Sequence, residues 1–433
     1  MKQGGTIFAL ATAAIAAPVA IIRLSGSGCG GQVAPLVGSL PPARTAGIRS
    51  LRRPGSAEVL DRALVLWFPG PRSATGEDAL ELHLHGGLAV VAAVTEALVT
   101  LGCRPAEPGE FSRRAFLNGK LDLTAAEGIA DLVAAETEGQ RRQAMRQASG
   151  GLAKELIRWD QDLLRLLAHQ EANIEFADEG LPTDLDQTVR AGIGRLQQDL
   201  AAHLKAGEKA RRLRSGVSVV ILGAPNVGKS SLLNHLARSD AAIVSRHPGT
   251  TRDIVEVRLD LDGIPVTLSD TAGIRDTVDE IEAEGIRRAL EKADIADLVI
   301  LMTAPDIPAG ADLPPMATPV LRVSNKADLL AAPTEGLVMS TLTGAGLDAF
   351  DDVLRRQVKM LAGVTATAAL SRPRHIAAVS ETAIWLATAL DAAMPEIVAE
   401  CLRAARRTLG RITGQGSTEA VLDAVFRDFC IGK

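Results

Sequence analysis

The chain has 433 residues, 47% hydrophobic and 23% charged, an ordinary globular composition with length enough for about three domains. A net charge of −5 and a sequence pI near 5.9 exclude a protein that coats nucleic acid by bulk charge. Four cysteines (Cys29, Cys103, Cys401 and Cys430) show no C-x-x-C spacing, which reads as reduced thiols of a cytoplasmic protein and not as a disulfide frame.

From the N-terminus, Ile7 to Ile22 carries no charge. It falls short of the roughly 20 residues that span a bilayer, and Pro18 interrupts it, so it predicts two buried strands or a strand and a turn. No other segment is a membrane candidate. Residues 1–120 are rich in Gly, Pro and β-type runs such as Ala63 to Phe68. His83 and His85 alternate with Leu82 and Leu84 and share one strand face with Glu81. A polar strand face outweighs a metal site there. From Leu123 to Arg214 the pattern turns helical, with Leu152, Leu156, Trp159, Leu163 and Leu167 at i+3/i+4 spacing. Three basic clusters read as solvated helix faces: Arg141, Arg142 and Arg146; Arg211, Arg212 and Arg214; and Arg403, Arg406, Arg407 and Arg411.

The segment Gly223-Ala224-Pro225-Asn226-Val227-Gly228-Lys229-Ser230 fits G-x-x-x-x-G-K-[ST] without mismatch. The apolar run Val217 to Leu222 predicts a strand before it, and Ser231-Leu232-Leu233-Asn234 a helix start after it. Glycines let backbone N–H groups turn around a polyphosphate, and the helix N-terminus adds its positive end. Lys229 suits the β/γ-phosphates, and Ser230 offers a hydroxyl to Mg²⁺. Three further segments follow in the order a GTPase requires. In Gly249-Thr250-Thr251-Arg252-Asp253, Thr251 is the hydroxyl expected to sense γ-phosphate through Mg²⁺. Asp270-Thr271-Ala272-Gly273 ends the apolar run Ile264 to Ser269; Asp270 suits a Mg²⁺ water and the Gly273 N–H the γ-phosphate. Asn325-Lys326-Ala327-Asp328 follows Val320 to Val323, and a carboxylate there accepts two hydrogen bonds from guanine that adenine cannot donate.

Ile274 stands where a water-orienting glutamine is found in Ras-like enzymes. No arginine finger is identifiable, although Arg252 and Arg275 lie in the switch segments. Another charge stabiliser is needed, and Asn226 is the candidate, through a monovalent cation beside the phosphates. Glu282 is the candidate to position water, while Asp279 and Glu280 read equally as a solvated loop. Helical pattern resumes with Ile376, Val379, Ala383, Leu386 and Leu390, then Val398, Leu402, Leu409 and Ile412. Helical blocks flanking a self-contained α/β unit predict an inserted domain. The expected boundaries are 1–120, 121–215, 216–361 and 362–433.

Several runs lie outside these nucleotide motifs: Thr75-Gly76-Glu77-Asp78, Glu81 to Gly87 (Glu-Leu-His-Leu-His-Gly-Gly), Pro108-Gly109-Glu110-Phe111, Arg114 to Leu123, and the terminal Phe429-Cys430-Ile431-Gly432-Lys433. With them, nearly the whole chain resembles the MnmE (TrmE) family of tRNA-modifying GTPases. The resemblance implies an N-terminal α+β tetrahydrofolate-binding domain, a helical middle domain and an inserted Ras-like P-loop GTPase domain. It implies a homodimer built by the N-terminal domains, with G domains that meet when GTP and K⁺ bind. It also implies a flavin-dependent partner, usually called MnmG, and a tRNA whose wobble uridine receives an aminomethyl or carboxymethylaminomethyl group at C5. The one-carbon unit is expected from 5,10-methylene-tetrahydrofolate, with 5-formyl-tetrahydrofolate as a further ligand. By motif position, folate contacts fall on Arg23, Glu81, Lys120 and Lys433; K⁺ on Asn226, Ser245, His247 and Thr250; Mg²⁺ on Ser230 and Thr251. GTP contacts fall on 226–231, on Ser245, Arg246, His247, Pro248, Gly249, Thr250 and Thr251, on 270–273, on 325–328, and on the base loop Ser340-Thr341-Leu342. Glu282 matches the water-orienting glutamate.

Three departures from the family pattern stand out. The turn before Arg23 is Thr12 to Pro18 in place of a Gly/Pro/Arg-rich sequence, the base loop departs mildly from Ser-Ala-x, and Pro305 to Pro319 is short and Pro-rich. Cys430 reads as a small apolar residue packed beside Val425, Phe426 and Phe429, as part of a frayed tail with no role, or as a catalytic thiol near the one-carbon unit; the aromatic neighbours favour an anchored end over a frayed one. Two other functions fit parts of the pattern. An RNA-binding ribosome-assembly GTPase would append a basic RNA-binding domain, and none is visible. A folate-binding scaffold would use the G domain only as a conformational switch.

Overall fold

A computed structural model describes residues 5–175, 185–239, 241–243, 256–270, 290–307, 316–329, 336–363, 370–414, 419–427, 429 and 432. The chain divides into two compact units, residues 1–130 with 410–433, and residues 131–409.

The first unit is built on a six-stranded sheet in the order β3-β4-β5-β2-β1-β6. Its strands are β1 Ile7–Leu10, β2 Ala17–Ser25, β3 Gly47–Arg52, β4 Val59–Phe68, β5 Ala79–Gly86 and β6 Arg104–Pro105. The uncharged N-terminal run is thus two strands, as its length predicts, but the break falls at 11–16, and Pro18 stands inside β2 at the register shift between Ala17 and Val19. Period-2 alternation sorts β2 and β5 into two faces. Ile22, Leu24, Leu80, Leu82 and Leu84 are buried, joined by Val94, Ala97 and Leu98 of the helix Leu88–Thr100. The alternate residues Arg23, Glu81 and His83 lie on the opposite face, with Arg23 paired to Glu81 in register and Ile21 to His83. Short helices Cys29–Gln32 (α1) and Ala34–Val37 (α2) precede that long helix, α3. At the Gly86 end a β-bulge brings the strands so close that a Cβ on Gly86 would lie 2.1 Å from the Ala17 carbonyl oxygen.

Helix α4 (Glu110–Leu117) and helix α5 (Leu123–Ala134) follow the sheet. The last helix of the chain, Glu419–Arg427, returns to this unit, and Leu422, Phe426 and Phe429 are buried with Leu123 and Ala126. Its Phe426 carbonyl oxygen approaches Gly109 so closely that a Cβ there would lie 2.3 Å away. Gly432, at φ 96°, would similarly place a Cβ 2.8 Å from the Leu10 carbonyl oxygen. Phe426 and Phe429 are therefore packed into this unit, and Gly432 lies beside β1.

The second unit contains α6 Glu138–Ala148, α7 Gly151–Glu175, α8 Leu185–Ser215, α9 Lys229–Ala237, α10 Leu347–Leu361, α11 Pro373–Asp391 and most of α12 Pro395–Thr413; α13 is the Glu419–Arg427 helix of the first unit. On α7, Leu152, Leu156, Trp159 and Leu163 are buried as the spacing predicts, but the stripe continues through Leu166 and Gln170 and leaves Leu167 half-buried. Over 25 residues a 3.6-residue turn drifts away from fixed i+4 steps. The same drift appears on α11, where His375, Ala378, Val379, Thr382 and Leu386 are buried and the expected Ile376, Ala383 and Leu390 are only half-buried. Trp159 stacks edge-on against His203 at 4.9 Å, and its indole N–H donates to Asp199 at 2.7 Å.

The second sheet has the order β12-β11-β10-β7-β9-β8 and is parallel except for the β8–β9 hairpin. Its strands are β7 Val217–Leu222, β8 Glu256–Leu261, β9 Ile264–Asp270, β10 Leu298–Thr303, β11 Val320–Ser324 and β12 Leu337–Val338. Val219, Ile221, Leu268, Ile300 and Val323 form its core with Leu232 and Leu236 of α9 and Phe350 and Leu354 of α10. β7 lies between β9 and β10, so the loop after β7 sits at the switch point of an open α/β sheet, where such sheets bind ligands.

The β8–β9 turn, Asp262-Gly263, has positive φ at both residues (56° and 84°), the tight hairpin geometry that right-twisted strands favour. The Gly263 carbonyl oxygen accepts from Thr137 Oγ1 at 2.8 Å and from the Gly139 N–H at 3.1 Å, the first turn of α6. A Cβ on Gly139 would stand 2.2 Å from that oxygen. Gly139→Ala is expected to force the turn away from α6 at a cost of about 1–3 kcal/mol. The checking measurement is the thermal unfolding of the 131–409 unit, whose midpoint should fall.

Candidate active site

The phosphate loop runs from the end of β7 to the N-terminus of α9. Gly223 (φ 153°) and Gly228 (φ 101°) occupy backbone conformations that other residues avoid, and both are crowded. A Cβ on Gly223 would lie 2.5 Å from the Met302 carbonyl oxygen, and one on Gly228 2.2 Å from Asn325 Nδ2. Asn226 is exposed and left-handed (φ 64°), a conformation asparagine tolerates better than most residues. Lys229 is only 7% exposed and donates from Nζ to the Gly223 and Ala224 carbonyl oxygens at 2.8 and 3.0 Å, so its ammonium is held over the loop itself. Val227 is buried in the core, while Ser230 and Ser231 begin α9 on its exposed side.

Two further loops close on this one. Asn325, 1% exposed, donates from Nδ2 to the Val227 carbonyl oxygen at 2.7 Å and to Thr341 Oγ1 at 3.2 Å. Its Oδ1 accepts from the Thr341 N–H at 3.0 Å. One side chain thus ties the phosphate loop to both loops expected to hold a base. Ser340 Oγ donates to Asp328 Oδ1 at 2.5 Å, fixing the carboxylate by one oxygen. Ala327 donates its N–H to the Met339 carbonyl oxygen. Lys326 is left-handed (φ 61°) and pairs with Asp306 at 2.6 Å. Leu342 is 85% exposed.

Ser245, Arg246, His247, Pro248, Gly249, Thr250, Thr251, Thr271, Ala272, Gly273, Glu282, Cys430 and Lys433 lie outside the described residues, as does the Asp270 side chain. Asp270 itself ends β9 in register with Ile221, one residue before the end of β7. Most of 305–319 is also outside them.

On the open face of the first sheet, Arg23 donates to Glu81 Oε1 from Nε at 3.1 Å and from Nη2 at 2.8 Å. The two are cross-strand neighbours in one half-buried pair. His83 Nε2 meets the other Glu81 oxygen at 3.3 Å, and His85 Nδ1 meets Asp61 at 2.7 Å. The histidines are thus divided between two carboxylates, and no group of three metal-ligating side chains occurs among the described residues. Lys120 is exposed and forms no ion pair among the described residues.

The runs Thr75 to Asp78, Pro108 to Phe111 and Arg114 onward form a network whose polar role their sequence does not reveal. Ser25 Oγ meets Thr75 Oγ1 at 2.6 Å and donates to Glu77 at 2.8 Å. Arg114 bridges Glu77 at 2.8 Å and Glu110 at 2.9 Å. Burial works against the Glu110 charge, but Arg104, the Glu107 N–H and Arg114 outweigh it and hold the carboxyl below its usual range. Asn118 donates to the Thr75 carbonyl oxygen at 2.7 Å, which sets the turn carrying Lys120. Burial pushes the Cys29 thiol up to about 12 and the Cys103 thiol up to about 11, so neither is a nucleophile at neutral pH. Cys401 is also raised by burial. No helix among the described residues is long and apolar enough to cross a membrane.

Asn325→Ala would leave the Val227 carbonyl and the Thr341 N–H without their partner, a loss of about 1–3 kcal/mol. Fluorescent-GDP titration is expected to show weakened binding with little change in the fold of the first unit.

Residues 6–120 match the family model described as the GTP-binding protein TrmE N-terminus, and residues 123–430 match that of the MnmE helical domain. The tRNA modification GTPase MnmE of Gluconacetobacter diazotrophicus is 53% identical over 437 residues, covering 99% of this chain and 98% of that protein. Its namesakes in Rhodospirillum rubrum and Granulibacter bethesdensis are 52% and 50% identical, each covering 99% of this chain and 99% of the relative. Both family models and three full-length likenesses converge on one conclusion: this chain belongs to the MnmE (TrmE) family of GTPases.

Proposed function

We propose that the protein is a K⁺-activated, Mg²⁺-dependent GTPase that serves modification of the wobble uridine of tRNA. The observation that carries this reading is the Asn325-centred closure of phosphate loop and base loops, in a chain about half identical end to end to proteins named tRNA modification GTPase MnmE. In this reading Lys229 and the N-terminus of α9 face the β/γ-phosphates, Asp328 faces the guanine N–H edge, and Ser340 holds that carboxylate in place. Ser230 and Thr251 hold Mg²⁺, Asn226 with Ser245, His247 and Thr250 holds K⁺, and Glu282 orients the attacking water. The exposed, left-handed Asn226 suits such a cation ligand, because the residue stands open to solvent beside the loop and is not buried in the core. A K⁺ ion there supplies one positive charge where negative charge develops, the task an arginine finger performs elsewhere.

The second half of the reading concerns the first unit. Arg23, Glu81, Lys120 and Lys433 hold a tetrahydrofolate that carries the one-carbon unit, and a homodimer works with a flavin-dependent partner such as MnmG to place it on C5 of uridine. The residues fit that ligand. Glu81 is fixed by Arg23 and keeps carboxylate lone pairs for a pterin N–H edge, while Lys120 is exposed and uncommitted for a glutamate tail. Gly432 lies beside Leu10, on the strand whose Ala9 is in register with Arg23. Cys430 then lies near the one-carbon unit. The two sheets close within 1–120 and 216–361, which supports those spans as domains, with 121–215 and 362–433 as the helical parts.

GTP turnover is expected to rise steeply in K⁺ and stay low in Na⁺, and Asn226→Ala should abolish the difference. Equal turnover of the wild type in both salts would refute this part. Lys120→Ala should weaken binding of 5-formyl-tetrahydrofolate by about 1.5–3 kcal/mol in calorimetry. Cys430→Ser should leave GTP turnover intact and abolish tRNA modification; normal modification would leave the thiol only a packing role.

A further inference from the structure

The three basic clusters that stand out in the sequence are largely neutralised in the structure. Arg141 and Arg142 both pair with Glu138, at 2.7 Å each. Arg211 pairs with Glu208, Arg212 with Asp297 and Arg214 with Asp131. Arg403 and Arg407 pair with Glu400, and Arg406 with Asp160.

A fourth set behaves differently. Residues 44–72 hold six arginines against two carboxylates, a net charge of +4 within a chain of net −5. They form the free edge of the first sheet, because β3 is its terminal strand and β4 its neighbour. Of the six, only Arg53 is ion-paired among the described residues, to Glu58 and Glu96. Arg49 donates to the carbonyl oxygens of Ser39 and Ile48, Arg52 to that of Ala57, and Arg44 to that of Arg72. Carbonyls orient a guanidinium without neutralising it. Arg62 and Arg72 are exposed, and neither forms an ion pair among the described residues. Guanidinium groups spread along about 20 Å of sheet edge, three of them held by carbonyl oxygens and none of the five ion-paired among the described residues, are suited to several phosphates. Two such edges repel each other, which disfavours a second copy of the chain as occupant.

We propose that the β3–β4 edge, through Arg44, Arg49, Arg52, Arg62 and Arg72, is a docking surface for the phosphodiester backbone of RNA. The inference rests on the reading that the protein acts on tRNA, and it assigns where that tRNA is held, not how the uridine is recognised. Backbone contacts position a nucleic acid without reading its sequence, and they make affinity fall with salt.

The test is filter binding of an unmodified tRNA transcript to the full-length protein between about 50 and 200 mM KCl. Replacing Arg49, Arg52 and Arg62 together by glutamine should weaken binding on the order of 10-fold and reduce the salt slope by about 2–3. The same exchange at the ion-paired Arg141, Arg142 and Arg407 should change neither. Unaltered tRNA affinity in the edge variant, or no wild-type binding at the lowest salt, would overturn the proposal. So would a change in sedimentation that accompanies the loss, because the edge would then be an interface between copies. GTP turnover in K⁺, measured on the same samples, reports separately on the nucleotide site: it should be normal in the edge variant, and its absence from the wild type would count against the GTPase reading instead.

Discussion

Much of the nucleotide region depends on the buried amide of Asn325. It donates to the backbone of the phosphate loop and accepts from the backbone of the Thr341 loop, and the closeness of Gly228 leaves no room for a Cβ between them. Three loops from three strand ends therefore share one side chain. A loop that is glycine-rich and exposed would otherwise pay conformational entropy each time it met a polyphosphate. The tie removes part of that cost beforehand and links the geometry of the base site to that of the phosphate site.

The same economy appears in the first unit. Arg23 and Glu81 face each other across two antiparallel strands, so the cation sets the carboxylate and a ligand meets a group that is already oriented. Behind them, Arg114 joins Glu77 and Glu110 and connects helix α4 to the turn after β4. The runs that mark the family outside the nucleotide motifs largely maintain this scaffold. Gly86 and Gly109 permit backbone contacts that no side chain would allow, and the latter seats the C-terminal helix. Phe429 is buried with that helix, and Gly432 lies beside β1.

Charge shows a corresponding division. Arginines on helices are mostly neutralised by carboxylates one turn away or on a packed neighbour, so they contribute to local order and little to the outer field. Arginines on the sheet edge are held by carbonyl oxygens and keep their field. Composition alone ranks the helical clusters higher because they are denser in sequence; their counter-ions lie one turn away on the same helix, as Glu138 does, or on separate segments, as Asp297 and Asp160 do.

The phosphate loop was legible in the sequence because it is local: a strand, a glycine turn and a helix start within about 20 residues dictate a phosphate loop wherever they occur. The uncharged N-terminal run was likewise readable as two strands from its length, although Pro18 falls within the second strand and not at the break. Helical stripes were legible only approximately, since Leu166 and His375 take positions that fixed i+4 counting assigns to their neighbours. The partnership of Arg23 with Glu81, the role of Asn325 in three loops and the pairing of Arg212 with Asp297 and of Arg406 with Asp160 were decided by tertiary structure alone. Each depends on residues far apart in the chain, 58 positions in the first case and 98 in the second, and their pairing is set by strand register and packing and by no local pattern.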